Sequence, residues 1–135
     1  MATAFKENGK RGTGRRKEAI ARVRLVPGKG RVVINGHPMD EYLQFRKTLQ
    51  IPVMQPIVAA GLEEKYDIIV RTHGGGLAGQ ADAIKLGIAR ALSEVSETLH
   101  KQMSTEGFLH RDSRVKESKK YGRKKARKRF QFSKR

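Results

Sequence analysis

The C-terminal twenty-five residues set the first limit on what this chain can fold into. Residues 111–135, RDSRVKESKKYGRKKARKRFQFSKR, hold thirteen Lys or Arg against two acidic residues, and only Val115, Tyr121, Ala126, Phe130 and Phe132 are apolar. Burying so few side chains does not offset the roughly 1–2 kcal/mol of backbone ordering entropy per residue, so the segment is expected to be largely disordered in isolation. A run of charge is more ordinarily a solvated helix face. That needs opposite charges at i,i+4 spacing, and Asp112 and Glu117 supply too few. Such a tail orders on a polyanion. Nucleic acid is the obvious candidate, because neutralised phosphates release counterions and make binding strong and salt-sensitive.

The remaining charge is uneven as well. Residues 1–30 carry nine basic and two acidic side chains, and residues 31–110 carry eight and nine, so a near-neutral middle lies between two cationic ends of a 135-residue chain of net charge +17. That length fits one domain with tails. With no Cys, disulfides, thiolate zinc sites and thiol nucleophiles are excluded. No apolar run is long enough to span a membrane and no secretory leader pattern opens the chain, so the protein is expected to stay in its compartment of synthesis, with no membrane partner.

The middle reads as a scaffold. Residues 19–26 (AIARVRLV) alternate, with Ala21, Val23 and Leu25 on one face and Arg22 and Arg24 on the other. A Pro-Gly-Lys-Gly turn leads to a second strand at residues 31–34, ended by Asn35-Gly36, and the two strands read together as a hairpin. A short helix over residues 39–45, a helical piece between 50 and 62, a third strand over 65–72 with Tyr66, Ile68 and Val70 inward, and one long helix from about 80 to 101 follow. Ile84, Ile88, Ala91, Val95 and Leu99 form that helix's apolar stripe. The expected fold is α+β: a single small domain, a mostly antiparallel sheet with helices packed on one face, and a long extended basic C-terminal tail. Residues 1–11 are expected to be a flexible extension, 12–108 the globular RNA-binding domain and 109–135 the tail.

Residues 74–79 (GGGLAG) satisfy the glycine spacing of a dinucleotide loop between a strand and a helix. The context fails, since Glu94 and Glu97 are expected inside the continuing helix rather than at the end of a second strand, and no cofactor or small-molecule substrate is expected. The glycines Gly74, Gly75 and Gly76 retain a different use, presenting N–H groups and a helix dipole to an RNA phosphate. A ligand-free tight turn explains them equally well. His37, His73, His100 and His110 lack metal-ligand spacing, and no nucleophile motif is present, so neither a metal site nor a catalytic residue is expected.

GTGRRK at residues 12–17 is either a solubilising flank or a phosphate-clamping arm, and Arg22 and Arg24 favour the arm by extending the basic surface along the same strand. The candidate RNA-binding residues are therefore Arg11, Arg15, Arg16, Lys17, Arg22 and Arg24 near the first strand, the three loop glycines, and, in the tail, Arg111, Arg114, Lys116, Lys119, Lys120, Arg123, Lys124, Lys125, Arg127, Lys128 and Arg129. Tyr121 joins this set, although packing against the domain is its more ordinary role. Phe130 and Phe132 have no apolar neighbours and could stack on bases.

Four blocks, GTGRRKEAIARV at 12–23, GGGLAGQADAIKLGIARAL at 74–92, GFLHRDSRVKESKKYGRKKAR at 107–127 and the terminal QFSKR, resemble the bacterial-type small-subunit ribosomal protein S nine family. The resemblance implies an α+β domain with a left-handed βαβ crossover, against the usual right-handed preference. It implies a structural constituent of the small subunit that binds ribosomal RNA in the head, lies beside other head proteins, and sends its tail toward the peptidyl-site tRNA. Contacts with that tRNA then fall on Lys134 and Arg135, with Ser133 beside them. The location would be the ribosome, in a bacterial cytoplasm or a plastid stroma. Two rivals of other classes are an architectural DNA-binding protein, which charge alone allows, and a dinucleotide-dependent enzyme, which rests on the glycine loop.

Overall fold

The computed structural model describes residues 9–115, 117–129 and 131. Five strands form one sheet: β1 (Lys10–Arg16), β2 (Ala19–Pro27), β3 (Val32–Ile34), β4 (His37–Pro38) and β5 (Tyr66–His73), in the spatial order β1-β2-β5-β3-β4. All neighbours are antiparallel except β3 and β5, which run parallel and are joined through the helices α1 (Met39–Tyr42) and α2 (Lys47–Ala60). Two further helices, α3 (Leu77–Ser93) and α4 (Glu97–Thr105), precede the tail.

The hairpin expected from residues 19–34 does not form. β5 lies between β2 and β3, pairing Val23 with Val70 on one side and Val32 with Ile68 on the other. Alternation identifies which side chains a strand buries, not which strand it joins. The turn after β2 is bound instead to β5, where Asp67 Oδ1 accepts the backbone N–H groups of Lys29, Gly30 and Arg31 at 2.9, 3.0 and 2.9 Å. β1 occupies the stretch that the sequence leaves open between a flank and an arm, because its core-facing positions are Gly12 and Gly14, which carry no apolar signal. The strand opens at Lys10, two residues before Gly12.

Those glycines let a helix come close. A Cβ on Gly12 would overlap the Gly87 carbonyl, and one on Gly14 the Ala83 carbonyl, so α3 lies directly against β1. Gly87 in turn accommodates Val23, whose Cγ2 would be 2.6 Å from an added Cβ. The core fills the space between: Ala21, Val23, Leu25, Ile68 and Val70 from the sheet, Ile84, Ile88 and Leu92 from α3, Val53 and Ile57 from α2, and Met103 from α4, each at most 2% exposed. The single long helix read from the sequence is two. Glu94 closes α3, and the Ser96 hydroxyl caps α4 by accepting the Leu99 N–H at 3.2 Å, so Glu97 starts a new helix. Pro52 and Pro56 lie inside α2, which ends at Gly61 in the left-handed region. None of the helices among the described residues is long and apolar enough to cross a membrane.

Candidate nucleic-acid interface

Strand alternation places the cations. The face of β2 that does not meet α3 carries Arg22 and Arg24, and the register adds neighbours on the same side: Arg11 opposite Arg24, Arg15 opposite Ile20, and Arg71 opposite Arg22. Arg11, Arg15, Arg22 and Arg71 are exposed, whereas Arg24 is only 9% exposed. Burial lowers the pKa of Arg24, and the charges of Arg11 and Arg71 lower it further. Clustered like charge of this kind favours any anion that approaches it. Arg71 was missed by the sequence reading, although the KYDIIVRT alternation that buries Ile68 and Val70 also turns Arg71 outward. His73, read as an ordinary histidine, stands opposite Ile20 at the same edge.

Arg16 is placed differently. It projects toward α3, its side chain is 22% exposed, and it pairs with Asp82 and with Asp112, the latter at 3.4 Å. Lys17 forms the β1–β2 turn, exposed and at φ 53°.

The glycine loop joins β5 to α3 along the same rim. Gly74 and Gly75 adopt φ 78° and 62°, and an added Cβ would press Gly74 into the Glu18 carbonyl and Gly75 against Ala19. Both are thus required by the turn itself. Gln80 braces the loop by donating to the Gly74 carbonyl at 3.0 Å, and its side-chain oxygen accepts from Tyr42 at 2.7 Å. Asn35 completes the brace, donating to the Tyr42 oxygen and exchanging two hydrogen bonds with the Thr72 backbone. Gly76 is the N-cap of α3 and supplies no side-chain cap, and the Gln80 N–H closes the first turn on the Gly76 carbonyl at 2.9 Å. After α3 come α4 and the tail, with no further strand among the described residues.

The described residues from 111 onward form no helix or strand. Arg111, Arg114, Lys119, Lys120, Lys124, Lys125, Arg127, Lys128 and Arg129 are exposed, and Arg123 is half-buried. Each of the two tail acids has a partner within the tail, and Asp112 also meets Arg16. Asp112 accepts from Arg114 at 2.8 Å, which holds its carboxyl well below the usual carboxylate range, and Glu117 accepts from Arg127 at 2.9 Å. A turn near residue 124 is closed by the Lys124 N–H on the Lys128 carbonyl at 2.8 Å. Tyr121 is fully exposed, so its expected packing against the domain is corrected: among the described residues no apolar surface covers it. Lys116, Phe130, Phe132, Ser133, Lys134 and Arg135 lie outside the described residues.

Comparison with known proteins fits this arrangement of basic sheet face, glycine loop and cationic tail. The family described as Ribosomal protein S9/S16 matches residues 14–135. The chain belongs to that family. Among relatives named small ribosomal subunit protein uS9, one from Gloeobacter violaceus is 61% identical, the match covering 92% of this chain and 93% of the relative. Another from Synechococcus sp. (strain JA-3-3Ab) is 59% identical over 92% and 90%. A relative from Mesostigma viride, named uS9c, is 60% identical over the same shares. The family match starts inside β1 and runs to the end of the chain, so it spans Arg15, Arg16 and Lys17 as well as the tail.

Proposed function

We propose that the chain is a structural constituent of the small ribosomal subunit whose domain binds ribosomal RNA in the head and whose tail reaches the peptidyl-site tRNA. The observation that carries this reading is the segregation of charge: one sheet face is committed to the core and α3, the other gathers Arg11, Arg15, Arg22, Arg24 and Arg71, and the tail extends the same sign. Membership of a family of small-subunit ribosomal proteins supports ribosomal RNA as the polyanion. Its site is the ribosome of a bacterial cytoplasm or a plastid stroma, beside other proteins of the head.

The mechanism is electrostatic positioning. Guanidinium and ammonium groups neutralise phosphates, the first turn of α3 accepts one more at the glycine loop, and Tyr121, Phe130 and Phe132 are available to stack on bases. Ser133, Lys134 and Arg135 would meet the tRNA. With roughly ten tail cations on phosphates, log Kobs against log salt falls with a slope of about −7 to −9. Titration of small-subunit ribosomal RNA with the full chain between low and moderate salt measures it. Binding that ignores salt would overturn this reading, and preference for duplex DNA would favour an architectural role instead.

A further inference from the structure

The tail leaves the domain through a short, heavily tied segment. Gly107 turns the chain at φ 78°, the Phe108 N–H returns to the Met103 carbonyl at 3.0 Å, and the Lys85 ammonium on α3 lies 5.2 Å from the centre of the Phe108 ring. Four residues on, Asp112 meets Arg16. One terminal nitrogen of Arg16 donates to Asp82 on α3 and the other lies 3.4 Å from Asp112. A single guanidinium therefore joins the end of β1, the first turns of α3 and the root of the tail.

We propose that Arg16 is a positioning residue for the tail rather than a phosphate ligand: by holding Asp82 and Asp112 together it fixes the direction in which the tail departs from the domain. This rests on the tail being the RNA-binding element. Three features separate Arg16 from its neighbours. It faces α3 while Arg15 faces outward, its side chain is 22% exposed against 83% for Arg114, and its charge is matched by two carboxylates. Isolated exposed ion pairs do little. Here the acids are themselves about 30% exposed, and a two-pronged guanidinium spans a gap that the point charge of Lys does not. A tail held at its root begins its search for RNA from one direction, which reduces the ordering left to be done on binding.

The chain has no Cys, so spin labels can be placed at Thr98→Cys on α4 and Ser118→Cys in the tail without other changes. The label-to-label distance in the free, full-length protein is expected to be narrowly distributed, and to widen at least twofold in Arg16→Gln and in Asp112→Asn, with Arg16→Lys only partly restoring it. An already broad distribution in the parent, or unchanged width in both variants, would overturn the proposal. Circular dichroism checks that each variant folds, and Asp112→Asn serves if Arg16→Gln does not. On protein-free small-subunit ribosomal RNA, Arg16→Gln is expected to bind about three- to tenfold more weakly with an unchanged salt slope. A slope shallower by about 0.7–0.9 makes Arg16 a phosphate ligand and rejects the idea. Salt-insensitive binding by the parent chain would instead reject the RNA-binding reading, leaving the distance measurement to judge Arg16 alone.

Discussion

One carboxylate oxygen of Asp67 ties the turn after β2 to β5. Burial pushes its carboxyl up, but the N–H groups of Arg31, Lys29 and Gly30 and the charge of Arg31 outweigh it and hold the pKa below the ordinary carboxylate value. A depressed folded-state pKa means stabilisation that is present above the unfolded value, about 4, and is lost as pH falls through the folded one. Asp67→Ala is therefore expected to cost about 2–3 kcal/mol at neutral pH, as a charged acceptor leaves three donors behind. The difference should shrink at pH 3. Urea unfolding of both proteins at the two pH values measures it, and a pH-independent difference would contradict the argument. The sequence shows Asp67 on the outward phase of a strand but not its partners, 36 to 38 positions earlier in a glycine turn.

At the scale of elements, β1 and α3 are matched by what they lack. Gly14→Ala puts a methyl group into the Ala83 carbonyl, so the helix must lift or the strand must bend. A loss of about 1–3 kcal/mol is expected from such overpacking, read from denaturant midpoints, whereas Thr13→Ala on the opposite phase serves as the mild control. This pairing was hidden in the sequence because hydrophobic periodicity registers side chains, and the contact is made from their absence. The same limit joined α3 to α4. Val95 and Leu99 continue the apolar stripe across the break, while the signal that ends it is a lone Ser96 acting as a cap. Strands rich in β-branched residues were legible for the opposite reason: Val23, Ile68 and Val70 announce both their period and their buried face.

For the whole molecule, charge distribution was legible from composition by segment, since a 25-residue stretch with thirteen cations has no core to join. Its three-dimensional sorting was not. Arg71 lies opposite Arg22 through strand register, and Arg16 pairs with two acids distant in sequence, contacts that only the fold supplies. In assembled subunits, deletion of Ser133, Lys134 and Arg135 is expected to weaken peptidyl-site tRNA binding several-fold while leaving incorporation into the subunit nearly unchanged, because the remaining tail cations persist. Equal tRNA affinity in filter binding with truncated and intact subunits would reject the role assigned to the last residues. The central position of β5 has a consequence for biosynthesis. A nascent chain that has released only residues 10–38 holds two strand pairs with no partner between them, and Gly12 and Gly14 stay uncovered until α3 has followed β5 out of the exit tunnel. Contacts spanning so much sequence delay closure of the sheet until most of the chain has been made. The domain therefore completes itself late in its own translation, just before its most cationic segment emerges.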